Sequence, residues 1–496
     1  MALLAVLAIT LSVLPLSLPA ATADGSVLQA VSSVIRPRTG RPPALGRQVY
    51  GYLPWWNLDS GTAGRLRYDL VTTVALFGIK IHADGSLDRT SPGYVGYLGP
   101  AAAAVTNAAH ASGVRVVPTF QLFDTGTLRD VRAFLASPAA QTRFIRHAVA
   151  LVTARRADGA SLDFEPVPDD LGGAFARFVA RFRAGLRAHD RSSSLVVAMA
   201  AGAAPTLIEA LVPSVDGLFV MAYDYRRAQS GSAGSVAPLD GPGQTVRRTI
   251  ERYLRHAPAS KVILGLAYYG YDWPVTASAA NAPVRTDTKV AGSAFGLSFA
   301  SINAWLADHQ KVIVKHEVAS GAAWFSYRDA DRSTYRQVWF EDDRSIAAKE
   351  DYAILAGLGG VGIWALDNDR GSDRLWDLLR TKFKSPDHQP VVRASLYHLA
   401  VHGGLVEAEI AATVQNRGTV PEVGHVIWTI RNARGRIIAS GGTPVTVLTH
   451  GAKRPVLAVA LGSARDLVPG TYTLHAAYVV GSRRWTAPIF SFRQPY

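Results

Sequence analysis

The feature that most constrains the fold is the regular alternation of β-like and helical segments between Gln48 and Lys382. Amphipathic stretches separate short apolar runs; in residues 174–190, for example, phenylalanines recur at intervals of three and four. The apolar runs are residues 48–56, 70–79, 114–123, 159–167, 194–202, 217–225, 261–270 and 359–367. Eight strands that alternate with helices predict a (β/α)8 barrel, and a doubly wound open sheet is the competing α/β fold.

Two parts of the chain interrupt or follow this alternation. Residues 272–340 separate the seventh and eighth runs and are too many for a simple loop, so we expect an inserted α+β subdomain there. After Pro386 helical periodicity is lost, and apolar segments are joined by turn sequences. We therefore expect a barrel domain over residues 47–384 and an all-β, immunoglobulin-like sandwich over residues 390–496.

The N-terminus has the pattern of an export signal. Residues 2–20 are almost entirely apolar, contain two prolines and are followed by Ala-Thr-Ala, a small-residue cleavage pattern. An uncleaved membrane anchor is the alternative, since a run of this length could just span a bilayer. We expect residues 1–23 to be a signal peptide, residues 24–46 to be a flexible leader, and the protein to be secreted or associated with the cell wall or surface.

Composition excludes several kinds of chemistry. The chain has no cysteine, so disulfides, thiolate metal sites and cysteine nucleophiles are excluded. Its 13 histidines show no metal-ligand spacing, and HExxH, GxSxG and phosphate-loop motifs are absent. We therefore expect neither a metal nor another cofactor. The net charge of +14 favours anionic surroundings such as a cell wall, and no nucleic-acid-binding module is recognisable.

Residues 158–165, with the sequence Asp-Gly-Ala-Ser-Leu-Asp-Phe-Glu, carry the strongest chemical signal. Because successive side chains of a strand point to opposite faces, Ser161, Asp163 and Glu165 share one face. Carboxylates inside a barrel are costly unless they are paired or functional. Glu165 precedes a proline and should therefore lie at the C-terminal mouth of the barrel, where barrel active sites lie. The plainer alternative is an exposed acidic strand end.

This segment resembles the DxxDxDxE signature of glycoside hydrolase family 18, the chitinase-like barrels. Other motifs of that family follow its order: Gly-Tyr at 51–52, Met-Ala-Tyr-Asp at 221–224 and Gly-Ile-Trp at 362–364. Residues 337–366 resemble the closing region of the family, especially of its spore-cortex and cell-wall branch. The resemblance covers about residues 47–382. It implies a glycosidase that cleaves β-1,4 bonds of N-acetylglucosamine-containing glycans, chitin-like or peptidoglycan-like, with retention of configuration.

The resemblance also implies a substrate-assisted reaction, in which the acetamido oxygen of the sugar attacks the anomeric carbon. Glu165 would be the general acid, and Asp163 would orient the acetamido N–H and stabilise the developing positive charge. Tyr223 would donate a hydrogen bond to the acetamido carbonyl, and Asp224 would support the sugar or Glu165. The like charge of Asp163 would raise the pKa of Glu165.

Further residues are implied to bind the substrate. Trp364 would form an apolar floor beneath the sugar, and Tyr52 would orient the carboxylates from below. Met221 occupies the methionine position of the family, although barrel packing is the more ordinary role of a methionine. Trp55 and Trp56, just after the first strand, offer a rim on which sugar rings could stack.

One position departs from the family. Ser161 stands where the family has Asp or, in some cell-wall members, Asn. A serine can donate a hydrogen bond to Asp163 but cannot share its charge, so we expect a changed pH optimum or rate. The alternative function is therefore a non-catalytic glycan-binding protein on the same barrel. We expect a monomer whose C-terminal sandwich binds cell-wall polymer or spaces the barrel, with membrane contact only if the N-terminal segment is retained.

Overall fold

The structure, a computed structural model, describes residues 35–43, 45–124, 126–384, 390–402, 405–416, 421–448, 451–463, 467, 469–480 and 483–494. The predicted signal peptide and the predicted leader up to residue 34 lie outside these residues. From residue 48 to residue 364, eight parallel strands close into a barrel with helices around it. The predicted (β/α)8 barrel is thereby confirmed, and the doubly wound open sheet is not adopted.

Thirteen strands are described in this region. In chain order they are β1 (Gln48–Pro54), β2 (Thr73–Lys80), β3 (Arg115–Phe123), β4 (Gly159–Glu165), β5 (Ser194–Ala200), β6 (Gly217–Met221), β7 (Val262–Ala267), β8 (Tyr269–Val275), β9 (Phe295–Ser298), β10 (Lys315–His316), β11 (Ala323–Arg328), β12 (Tyr335–Phe340) and β13 (Gly360–Trp364). The barrel contains β1 to β7 and β13, in the order β1-β13-β7-β6-β5-β4-β3-β2. Parallel pairing of β1 with β13, which sets Gln48 opposite Gly360, closes the cylinder.

Helices pack their apolar faces against the outside of this cylinder. The α-helices of the described chain are Thr62–Arg65, Pro92–Leu98, Pro100–Ala111, Arg129–Ala136, Pro138–Ala154, Gly172–His189, Pro205–Leu211, Val246–Leu254, Thr288–Ala291, Phe299–Asp308, Asp343–Leu355 and Asp373–Leu379. In the helix Gly172–His189, the predicted phenylalanine stripe is buried. Phe175 and Phe178 lie 5.2 and 5.8 Å, between ring centroids, from Phe164, which points outward from β4. The outer face of β4 is thus apolar, which leaves its polar residues on the inner face.

The insertion between β7 and β13 is an antiparallel sheet with two short helices. Its strand order is β10-β11-β12-β8-β9, and Trp324 and Trp339 stack in its core with ring centroids 5.2 Å apart. The sheet begins at Tyr269, immediately after β7 ends at Ala267. The predicted seventh run is therefore wrong at its C-terminal end, because Tyr269 and Gly270 belong to the insertion. An apolar strand that leads directly into another strand leaves no turn signal between them.

The C-terminal region contains only strands among its described residues. They are β14 (Pro390–His402), β15 (Leu405–Asn416), β16 (Glu422–Arg431), β17 (Ile437–Val447), β18 (Ala452–Lys453), β19 (Val456–Ser463), β20 (Gly470–Val480), β21 (Arg483–Thr486) and β22 (Phe490–Gln494). Strands β14, β15, β18 and β19 form one sheet and the others a second, and buried residues of both share one core. The all-β prediction is confirmed; the immunoglobulin-like class and the role in binding wall polymer stay predictions.

Residues 35–43, which fall within the leader that was expected to be flexible, contact the barrel. Arg38 forms an ion pair with Asp158, with 2.8 Å between Nε and Oδ1, and the carbonyl of Arg36 lies 2.8 Å from Nδ1 of the buried His110. Asp158 precedes β4 and so lies at the end of the barrel opposite the C-terminal mouth. The segment therefore packs against the bottom of the barrel. Among the described residues, no helix has the length and apolar character needed to cross a bilayer.

Candidate active site

A cleft of about 700 Å³ lies at the C-terminal mouth of the barrel. Seven of the eight barrel strands contribute side chains to it, mostly from their last three residues. Trp56 follows β1, Ala201 follows β5, and the loop after β6 supplies the other lining residues. The lining residues are Tyr52, Trp56, Phe77, Gln121, Phe123, Asp163, Glu165, Ala198, Ala200, Ala201, Met221, Tyr223, Asp224, Tyr225, Arg227, Gln229, Ser230, Gln244 and Trp364. The cleft therefore combines three carboxylates with an aromatic wall.

Asp163 and Glu165 both face this cleft from β4, as the alternation of side chains along a strand requires. Asp163 is buried, whereas Glu165, at the end of the strand, is half-buried. Oδ1 of Asp163 is enclosed and has no hydrogen-bond partner among the described residues. A buried carboxylate oxygen without a partner is costly, so it is available for a donor that a ligand would bring.

Burial raises the pKa of both carboxyl groups. The pKa of Asp163 lies well above its usual range because of burial first and the charge of Glu165 second. The pKa of Glu165 is raised by burial and then by the charge of Asp224. The predicted rise is therefore present, but its main cause is desolvation and its main charged neighbour is Asp224 rather than Asp163.

Asp224 is held in the cleft by two tyrosines of the insertion. Its Oδ1 accepts hydrogen bonds from the hydroxyl groups of Tyr269, at 2.6 Å, and Tyr271, at 3.1 Å. These residues alternate along β8 and so present their side chains to the same face. The walls of the cleft desolvate Asp224 and raise its pKa, while the two hydrogen bonds act in the opposite direction. The insertion thus positions a carboxylate that belongs to the barrel.

The aromatic floor of the cleft surrounds the end of β13. The ring of Trp364 lies edge-on to Phe77, at 4.8 Å between centroids, and to Tyr52, at 5.7 Å. Tyr223 also lines the cleft and packs against Gly265 of β7, where an added Cβ would lie 2.9 Å from the tyrosine ring. Because glycine has no side chain, Tyr223 can lie directly against the barrel wall at Gly265.

Ser161 does not occupy the place expected from the motif. It is fully buried beneath the cleft, and its Oγ lies 2.9 Å from the hydroxyl of Tyr52, not in a hydrogen bond to Asp163. The possible hydrogen bond between Ser161 and Asp163 is therefore not formed; Ser161 instead contacts Tyr52, and its assignment to substrate binding stays a prediction.

Two other predicted substrate contacts have different outcomes. Met221 is half-buried, lines the cleft and also packs against the aromatic cluster inside the barrel, so both of its expected roles are compatible with its position. Trp55 does not line the cleft among the described residues, and its ring lies edge-on to Trp56 at 5.4 Å. Of the two tryptophans expected at the rim, Trp56, which is 52% exposed, lines the cleft.

Several lining residues were missed by sequence reasoning. Gln121 lies opposite Asp163 on the neighbouring strand β3, and its buried Oε1 has no partner among the described residues. Arg227 and Gln244 come from the long loop after β6. Alternation along β3 could have identified Gln121, because it shares a face with Phe123. The spacing of apolar residues in the sequence does not predict which residues of an irregular loop line the cleft.

Comparison with known proteins agrees with this site. The sequence model of glycosyl hydrolases family 18 matches residues 129–369, which include Asp163, Glu165, Asp224 and Trp364. The putative sporulation-specific glycosylase YdhD of Bacillus subtilis is 29% identical over 241 residues, which are 48% of this chain and 53% of that protein. The cortical fragment-lytic enzyme of Bacillus subtilis is 31% identical over 152 residues, 31% of each chain.

Solved structures give the same fold. A family 18 chitinase from Cycas revoluta, determined in complex with (GlcNAc)3, superposes with a TM-score of 0.56 at 21% identity, over 67% of this chain and 98% of that one. At this identity the likeness concerns the fold. The alignments with the two Bacillus subtilis proteins span only about half and a third of those proteins, so similarity alone does not transfer the activity of a whole relative.

Proposed function

We propose that this chain is a member of glycoside hydrolase family 18, whose sequence model matches residues 129–369, and that it hydrolyses β-1,4 bonds next to N-acetylglucosamine residues by a substrate-assisted, retaining reaction. One observation carries the proposal: Asp163 and Glu165 lie two residues apart on the inner face of β4 and both line the cleft. A two-carboxylate glycosidase would use one of them as general acid and the other as nucleophile or general base. The enclosed position of Asp163 instead suits a group that binds the acetamido substituent.

In the first half of the reaction, Glu165 donates its proton to the glycosidic oxygen as the bond to the anomeric carbon breaks. The acetamido carbonyl oxygen of the same sugar attacks that carbon and forms an oxazolinium ion. Asp163, whose Oδ1 has no protein partner within the described chain, accepts the acetamido N–H and stabilises the positive charge. The raised pKa of Glu165 supports this role, because a general acid must carry its proton near the working pH.

In the second half, the Glu165 carboxylate takes a proton from water. The water oxygen attacks the anomeric carbon, the oxazolinium ring opens, and two inversions give net retention of configuration. Tyr223 donates a hydrogen bond to the acetamido carbonyl, and Trp364 supports the sugar ring from below. Both side chains line the cleft beside the carboxylates, which supports these assignments.

The test of the proposal is product analysis. Wild-type protein is incubated with N-acetylglucosamine oligomers and with purified peptidoglycan, and new reducing ends and the anomeric configuration of the first product are followed. We expect cleavage of at least one substrate, with the β-anomer formed first. Inversion of configuration would contradict the substrate-assisted reaction. Binding of both glycans without any new reducing end would favour the alternative, a non-catalytic glycan-binding protein. The serine at position 161, where the family has a carboxylate, is the sequence feature that supports this alternative.

The pH dependence of the reaction is expected to depend on Asp224. Its negative charge raises the pKa of Glu165, so Asp224→Asn lowers that pKa. Glu165 acts as an acid only below its pKa, and the alkaline limb of the kcat/KM profile therefore moves to lower pH, by roughly half a unit to one unit. Asn tolerates the positive φ of 57° at this position, so the backbone is preserved.

The matched control for this measurement is Asp240→Asn. Asp240 lies in the same long loop and pairs with Arg247, with 3.0 Å between Nε and Oδ2, but it does not line the cleft. Its replacement should leave the alkaline limb in place. An alkaline limb that stays fixed or moves to higher pH in Asp224→Asn would show that Asp224 does not act on Glu165.

A further inference from the structure

Arg227 lies three residues after Asp224 in the loop that follows β6, and it lines the cleft. Its backbone N–H donates to Ser230 Oγ at 3.0 Å, and its carbonyl accepts from the Ser230 N–H at 2.9 Å. The same carbonyl accepts from the indole N–H of Trp273 at 3.1 Å, and Trp273 is fully buried in the insertion. The backbone of Arg227 is therefore anchored to both its own turn and the neighbouring subdomain.

The guanidinium group of Arg227, in contrast, is exposed and forms no ion pair with any residue that the structure describes. Arginines in the helix after this loop and in the insertion have carboxylate partners: Arg247 pairs with Asp240 and Arg336 with Asp272. Arg227 is also the only lysine or arginine among the described residues that line the cleft. An anchored backbone and a guanidinium group without an ion-pair partner are the arrangement expected of a residue that binds an anionic ligand.

The charge of Arg227 acts on Asp224, whose pKa it lowers, but it forms no ion pair there and a neutral glycan would offer it no opposite charge. A chain of N-acetylglucosamine alone would remove water from the guanidinium without supplying an opposite charge, which is unfavourable. A carboxylate would instead form charge-assisted hydrogen bonds, two at once if the planar groups align. Three uncharged polar side chains beside it, those of Gln229, Ser230 and Gln244, can bind sugar hydroxyl groups.

We propose that Arg227 binds a carboxylate carried by the glycan, so that the cleft prefers muramic-acid-containing strands to neutral N-acetylglucosamine polymers. This inference rests on the proposed function, since it concerns the same cleft. The carboxylate has two possible sources in such strands: the lactyl group, when it carries no peptide, or the peptide attached to it. Both present the same chemistry to a guanidinium group.

The test measures binding with the full chain carrying Glu165→Gln, so that no ligand is consumed. Quenching of tryptophan fluorescence reports affinity for four tetrasaccharides: a peptide-free strand with free lactyl carboxylates, its methyl ester, a peptide-bearing strand, and the N-acetylglucosamine tetramer. We expect an acid-bearing strand to bind roughly ten- to a hundredfold more tightly than the ester or the neutral tetramer. Added Arg227→Gln should remove most of this ratio, and Arg227→Lys should retain part of it.

Arg226→Gln is the matched control, because Arg226 is the adjacent exposed arginine and does not line the cleft. It removes the same charge and should leave the ratio unchanged. Equal affinity for acid and ester, a ratio that survives Arg227→Gln, an equal loss in Arg226→Gln, or no binding of any ligand would each overturn the proposal. A preference confined to the peptide-bearing strand would identify the peptide as the source. Charge-dependent binding without hydrolysis by the wild type would leave this inference standing while the proposed function fails.

Discussion

Replacement of Glu165 by Gln is expected to lower kcat on N-acetylglucosamine oligomers about a thousandfold. The amide has nearly the same shape as the carboxyl group but cannot transfer a proton to the glycosidic oxygen or take one from water. Binding of the same oligomers, measured by tryptophan fluorescence, should change by no more than about threefold, because Glu165 contributes a proton rather than a binding surface. Reducing-end release and binding are measured on the same preparations.

Glu251→Gln is a suitable control for this experiment. Glu251 lies on the exposed side of the helix Val246–Leu254, away from the cleft, and undergoes the same chemical change. It should leave both kcat and affinity unchanged. Hydrolysis that survives Glu165→Gln at more than about a tenth of the wild-type rate would refute the assignment of the general acid.

Replacement of Asp163 by Asn is expected to have the second largest effect, a fall in kcat of about a hundredfold. The neutral amide cannot stabilise the positive charge that develops on the acetamido group. Asp163 forms no hydrogen bond through Oδ1 within the described chain, so its replacement removes no native contact of that atom and the free energy of unfolding should change little. Kinetics and urea unfolding together measure the two quantities.

Asp158→Asn makes the same substitution in the same motif and should have the opposite outcome. Asp158 lies at the bottom of the barrel, where it accepts from the backbone N–H of Val116 at 2.8 Å and pairs with Arg38 and His110. Losing these charge-assisted bonds should lower the free energy of unfolding by about 1–3 kcal/mol while kcat is retained. A loss of activity in Asp158→Asn at unchanged stability, or a loss of stability without loss of activity in Asp163→Asn, would reverse the roles given to the two aspartates.

Export is a separate question from the chemistry of the cleft. The predicted signal peptide lies outside the described residues, and secretion therefore stays a prediction. Arg227, which has no ion-pair partner among the described residues, is the feature of the cleft that leads to the proposal of an acidic glycan. The binding measurements with acid-bearing and neutral strands address that proposal without reference to where the protein is located.

The barrel and its two central carboxylates could be predicted from the sequence because their signals are local. Apolar runs that alternate with helical stripes identify strands and helices, and the period of two along β4 assigns Asp163 and Glu165 to one face. That face points into the cleft because the residues of the opposite face, such as Phe164, are apolar and pack against a helix. These features can be predicted without knowing which distant segments of the chain contact one another.

Apart from the strand boundary at the end of the seventh run, the corrections arise where segments distant in the sequence meet. Ser161 was expected to bond the adjacent Asp163, but barrel closure brings it to Tyr52, 109 residues away. The main charge acting on Glu165 comes from Asp224, and the residues that hold Asp224 come from the insertion. Which of two neighbouring tryptophans faces the cleft likewise depends on how the loop after β1 packs.

The sequence by itself therefore determined the number of barrel strands, the barrel fold and the face on which the carboxylates lie. Each of these follows from a short repeating pattern of apolar and polar residues. Only the tertiary structure decided what surrounds those carboxylates: the partner of Ser161, the tyrosines at Asp224, the packing of residues 35–43 beneath the barrel and the unpaired cation of Arg227. These depend on closing the cylinder and docking the insertion, which bring together residues that no local period relates.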